Sequence, residues 1–175
     1  MALTIIATPG ASNANSYCTL AEADTYHESV IAAHATDWSG ASDTTQNESL
    51  AMATRYLDAL YEWAQWASET TQALQWPRRG VLDHLKLSTI AEDVVPQIIK
   101  NATAEFARQL IAEDRSADSD VERYGLTSLR AGSVSLSFKD GVVARPVPDA
   151  VAVMIPAWWG YVRGMRPRTR RLVRA

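Results

Sequence analysis

The chain has 175 residues, 47% hydrophobic and 21% charged, an ordinary composition for one globular domain with a sizeable core. Its single cysteine, Cys18, excludes an internal disulfide framework, and its longest apolar stretch, residues 150–162, is interrupted by Pro156 and Gly160 and is shorter than the roughly 20 residues of a bilayer span. The net charge of −3 hides an asymmetry: residues 1–162 carry 11 basic against 20 acidic side chains, a balance of −9, whereas Arg163, Arg166, Arg168, Arg170, Arg171 and Arg174 follow with no acid among them.

Residues 1–10 lack a basic n-region, so no secretory signal is expected. A short apolar segment at residues 3–7 precedes a Pro-Gly-Ser-Asn loop, which predicts an extended N-terminal arm. Thr19 with Glu22 three residues on forms a capping box. The spacing of Leu20, Ala23, His27, Val30, Ile31 and His34 predicts a first helix running to about His34. Residues 37–47 read as a polar linker. A second helix is expected from about Thr45, with Glu48 in the capping position and Leu50, Ala53, Leu57, Leu60, Tyr61 and Ala64 on its apolar face, ending near Trp66.

Residues 70–93 are turn-rich around Trp76-Pro77-Arg78-Arg79-Gly80. Proline disfavours helical geometry at Trp76, and Gly80 permits a turn, so Trp76, Pro77 and Gly80 are assigned to a buried structural turn. A third helix is expected from Val95-Pro96 to about Asp114, carried by Ile98, Ile99, Ala102, Phe106, Leu110 and Ile111. Val134, Leu136 and Phe138 alternate with serines, the one clear strand signal, and residues 126–129 are its expected hairpin partner. A last helix is expected from Pro148-Asp149 to about Arg163, kinked at Pro156. The predicted architecture is mainly α: a four-helix bundle-like domain over residues 1–164, with a small β-hairpin between the third and fourth helices. A basic, extended C-terminal arm follows over residues 165–175. A lone hairpin is marginal in water, so Val134, Leu136 and Phe138, with Trp159, are taken as oligomer contacts.

No phosphate-binding glycine loop and no nucleophile elbow is present, and no enzymatic activity or cofactor is expected. One cysteine and three histidines give no zinc spacing. Asp24, His27 and Glu28 read as a surface cluster rather than a metal site. Cys18 reads as a packed, inert thiol. Of the six tryptophans, about four are expected in the core and one or two at contacts. Trp158, Trp159, Tyr161 and the arginine tail are the candidates for stacking bases and holding a phosphate backbone.

Three stretches carry a resemblance. Residues 15–26, NSYCTLAEADTY, residues 53–58, ATRYLD, and residues 73–81, ALQWPRRGV, resemble in order and spacing three segments of a family of tailed-phage head-to-tail connector proteins. The resemblance spans about residues 15–110 and is loose from residue 117 onward. It implies a structural virion protein at the head-tail neck, present in the host cytoplasm during assembly. Such an adaptor is a homo-oligomeric, dodecameric ring docked on the portal protein and bound below by a tail protein (nozzle, stopper or tail tube), with packaged DNA passing through its channel. The implied portal-binding residues are Arg163, Arg166, Arg168, Arg170, Arg171, Leu172, Val173 and Arg174. The same family is also described as DnaT-like single-stranded-DNA-binding proteins of phage replication. The acidic body, at −9, sets that description second, because phosphate affinity depends on clustered Lys and Arg.

Overall fold

The computed structural model describes residues 3–113, 128–131, 134–137 and 147–163. The fold is mainly α, with five helices among the described residues: α1 (Leu20–Glu28), α2 (Ala32–Ser39), α3 (Asp43–Leu60), α4 (Gln97–Ala112) and the short α5 (Asp149–Ala152). Three antiparallel strand pairs accompany them. β1 (Tyr61–Trp63) pairs with β6 (Gly160–Val162), β2 (Trp66–Ala67) with β3 (Arg78–Arg79), and β4 (Ser128–Ala131) with β5 (Val134–Ser137). No helix among the described residues is long and apolar enough to cross a membrane.

The capping box forms as its spacing predicts. The Thr19 Oγ1 accepts from the Glu22 amide, and the Glu22 carboxylate accepts from the Thr19 amide. The helix it opens is shorter than predicted. It stops at Glu28, where the Ser29 hydroxyl and amide both turn back to Tyr26 O. The extended backbone of Ile31 then starts α2, so His27 and His34 sit on different helices. The predicted linker shrinks, because α2 runs to Ser39 and Ser42, not Thr45, caps α3 by accepting from the Thr45 amide at 3.3 Å.

The larger corrections lie at the ends of two predicted helices. The second predicted helix does not continue to Trp66: α3 ends at Leu60, and Tyr61-Glu62-Trp63 becomes a strand. The last predicted helix collapses to the four residues of α5, and Gly160-Tyr161-Val162 becomes β6, the strand that pairs with β1. Proline at 156 denies the helix a hydrogen-bond donor. The β1–β6 pairing is reached by close approach: a Cβ on Gly160 would lie 2.9 Å from Glu62 O and 3.0 Å from the Trp63 ring. The four-helix bundle therefore gives way to a helical body edged by short ribbons.

The N-terminal segment is folded back rather than extended as an arm. Asn15 holds it: the Asn15 Oδ1 accepts from the Ile6 amide at 2.8 Å, and its Nδ2 donates to Thr4 O at 2.9 Å. The core joins α3 to α4 through Leu50, Ala53 and Leu57 against Ile99, Ala102 and Phe106, all buried. The amphipathic patterns of both helices place these residues inward. α1 and α2 cover α4 at the buried Glu105. Its carboxylate accepts from Arg108 at 2.9 Å, Gln109 at 2.8 Å and His34 at 3.0 Å. Burial opposes the charge on Glu105, but these donors win and hold its pKa down at about 2.

The three sequence segments that carry the family resemblance converge in space. Tyr17 is fully buried, and its hydroxyl donates to Asp58, which also accepts from the Gln75 amide at 3.1 Å. The Trp76 amide donates to the Tyr17 hydroxyl at 3.3 Å, and the Tyr17 amide donates to Thr54 Oγ1 at 3.3 Å. Burial pushes Asp58 up to about 6, against the hydrogen bonds that favour its charge. Trp76 and Pro77 are buried, as expected for a structural turn, across a cis peptide bond. Gly80, with φ of 74°, is on the surface.

Candidate nucleic-acid interface

The six tryptophans divide sharply. Trp38, Trp76 and Trp159 are sealed, and Trp63 is half-buried with its ring edge-on to Trp76 at 5.8 Å. Trp66 is 69% exposed and Trp158 is 39% exposed. A large indole left in solvent forgoes one of the strongest burial gains available to a side chain, so the local structure that holds it there matters.

For Trp66 that structure is a clamped bend. Gln65 takes a left-handed φ of 62°, unusual for a residue with a side chain. The next two residues then run as β2 against β3, with Trp66 in register with Arg79 and Ala67 with Arg78. Successive strand residues point to opposite faces, so the two arginines have opposite fates. Arg78 turns inward and is 5% exposed. Its guanidinium donates to Ala64 O at 2.7 Å, to Gln65 O and to Gln75 O at 2.9 Å, locking the bend in place. Burial draws its pKa down, opposed by Tyr17 and Asp58. Arg79 turns outward. Its Nε donates to Ala67 O at 3.3 Å and its Nη2 to Ser68 O at 3.0 Å. No carboxylate among the described residues pairs with it. Trp66, Ala67, Glu69, Thr70 and Arg79 line an open cleft of about 460 Å³.

Trp158 is placed differently. Its indole donates to Asp83 O at 3.4 Å, and the Lys86 ammonium covers its ring at 4.1 Å, a cation–π contact. Its neighbour Trp159 donates to Leu82 O at 2.7 Å and packs on Trp76 with ring centroids 5.4 Å apart. Adjacent tryptophans thus face opposite ways, as expected, but Trp159 is the inward one. A residue assigned to an oligomer contact is core of its own chain.

Arg163 is exposed, and its amide donates to Leu60 O at 2.7 Å, which places it beside the end of α3. Arg166, Arg168, Arg170, Arg171, Leu172, Val173 and Arg174 lie outside the described residues, as does Phe138. Val134 and Leu136 are in β5, opposite Ala131 and Leu129 of β4, two residues later in the chain than the predicted partner strand begins. Of the expected surface cluster Asp24, His27 and Glu28, His27 is buried with its Nε2 3.2 Å from Ala104 O, and the Asp24 carboxylate accepts from Trp38 Nε1 at 2.9 Å. Among the described residues no three His, Cys, Asp or Glu are grouped to hold a metal ion. Cys18 is packed, 1% exposed, and burial pushes its thiol up to about 12. Sequence reading missed the Trp66–Arg79 pair because both were placed outside strands. The available signal was the Arg78-Arg79 doublet, since two adjacent arginines in an extended segment cannot both face inward.

The family described as "Putative DnaT-like ssDNA binding protein" matches the chain over residues 1–175. The chain belongs to this family. No curated protein and no solved structure matches it. The match overturns the expectation of a structural head-to-tail adaptor, together with the connector, portal and tail vocabulary drawn from it. It favours the single-stranded-DNA-binding description that the same sequence segments also carried. The net charge that set this description second was the wrong quantity. A total of −9 averages over the surface, whereas nucleic-acid contacts depend on local groupings of aromatic and basic side chains.

Proposed function

We propose that this protein binds single-stranded DNA without performing chemistry on it. The observation that carries the reading is the family match over residues 1–175. Two features support it. Six arginines and no acid occupy residues 163–175, a segment suited to phosphate contacts. An exposed indole beside an outward arginine supplies the other half of single-strand recognition, a stacking face next to a positive charge. The non-catalytic part rests on the absence from the sequence of a phosphate loop or nucleophile elbow.

The test is a salt titration of binding to a fluorescein-labelled single-stranded oligonucleotide. The full chain should bind with log affinity falling linearly in log salt. Removing residues 164–175 deletes five arginines. It should reduce the steepness of that line by up to about 3.5, from roughly 0.7 per phosphate contact on single strands. A full chain that shows no salt-dependent binding at low salt overturns the reading.

A further inference from the structure

We propose that the cleft between Trp66 and Arg79 is a subsite for one unpaired nucleobase and its adjoining phosphate. The base would stack on the Trp66 indole and the phosphate would meet the Arg79 guanidinium. The proposal rests on the single-strand-binding reading and names where on the folded body that contact is made.

Four observations carry it. Trp66 is the more exposed of the two surface tryptophans, and it stacks on no other ring among the described residues. Trp158, by contrast, already has a cation against its face. The exposure is built in, because Gln65 adopts a left-handed conformation and the buried Arg78 bonds its carbonyl. Arg79 stands directly across the ribbon from Trp66, the arrangement in which cross-strand side chains lie within about 5.5 Å at Cβ. Two backbone carbonyls hold one edge of the Arg79 guanidinium through Nε and Nη2. That edge is therefore pre-set, and no acid among the described residues forms a salt bridge with it. The cleft, at about 460 Å³, falls within the size range of small-ligand sites. Its remaining polar groups are Glu69 and Thr70. A carboxylate repels phosphate but accepts from an exocyclic amine, so the subsite should favour cytosine over thymine.

The occupant is a nucleobase rather than a second copy of the chain because the cleft couples an aromatic face to a cation with no salt-bridge partner among the described residues. That pairing matches the base and phosphate of a single strand. The experiment uses the full chain and labelled oligodeoxycytidine and oligodeoxythymidine at fixed low salt, with the variants W66A, W66F and R79A. W66A should weaken binding roughly five- to a hundredfold, the range for loss of one base stack, while W66F retains most of the affinity. R79A should lower the steepness of the salt dependence by about 0.7. Oligodeoxycytidine should bind more tightly than oligodeoxythymidine, and E69Q should narrow that gap. Trp66 and Arg79 are surface residues, so melting curves should be unchanged. Wild-type binding that neither W66A nor R79A alters overturns the subsite while leaving the functional reading intact. Absence of wild-type binding overturns both. A W66A chain whose oligomeric state changes while its DNA affinity does not would assign the indole to a protein contact and also overturn the subsite.

Discussion

Two buried carboxylates show how differently the same burial is resolved. Glu105 is surrounded by donors from Arg108, Gln109 and His34 and is held at about 2. Because its folded value lies below its unfolded value of about 4.3, its contribution to stability is present above that pH. It is lost as pH falls through about 2. The shift corresponds to roughly 3 kcal/mol. E105Q should therefore lower the urea midpoint at pH 7, and the gap from wild type should narrow as pH drops toward 2. A gap independent of pH would deny the ion pairs their role. Asp58 has the opposite sign. Its folded value of about 6 lies above the unfolded one, so its stabilising term is present at low pH and lost as pH rises through 6. Tyr17 is the donor that makes the Asp58 charge tolerable, and it also accepts from the Trp76 amide. Y17F should cost about 1–3 kcal/mol, the range for leaving a buried polar group short of a partner, read as a lower melting temperature. Residue-level chemistry of this kind was partly legible. The capping box of Thr19 and Glu22 and the packed Cys18 follow from local sequence. Glu105 and Asp58 do not, because their partners lie on other elements.

At the scale of elements, what could be read depended on length. α3 and α4 are long enough, at 18 and 16 residues, for apolar spacing to declare them, and their cores fall where the spacing places them. β1 and β6 have three residues each. Three residues cannot distinguish alternation from a helical turn, so both were absorbed into predicted helices. Their pairing also depends on contacts between residues about 100 positions apart, Tyr61 with Val162 at one end and Trp63 with Gly160 at the other. Gly160 is the position on which that pairing turns. G160A would place a methyl 2.9 Å from the Glu62 carbonyl, a backbone atom that cannot swing aside. It should destabilise the protein by about 1–3 kcal/mol, the usual cost of overpacking. A melting temperature equal to wild type would mean that β1 and β6 separate without cost. The β2–β3 ribbon holds the proposed subsite, and neither strand exceeds two residues. Its inner anchor, Arg78, and its outer pair, Trp66 and Arg79, become meaningful once the ribbon is seen as paired.

For the whole molecule, the acidic balance of residues 1–162 and the basic run after them suggested an arm meeting an acidic partner. The proposed function supplies single-stranded DNA as that partner, the ligand class in the description of the matching family. Arg163, beside the end of α3, and the Trp66–Arg79 cleft are two candidate contact points. The fold class was legible because long amphipathic helices dominate it. The candidate interface was not, because a surface tryptophan and a buried one look alike in sequence. The most direct measurement is competition. The full chain is bound to a labelled single-stranded oligonucleotide at low salt, then challenged with unlabelled single strand or with duplex of the same sequence. Stacking requires an open base face, which a duplex withholds. Single strand should displace the probe at far lower concentration than duplex. Equal displacement by the two, or a probe that never binds, would contradict the account.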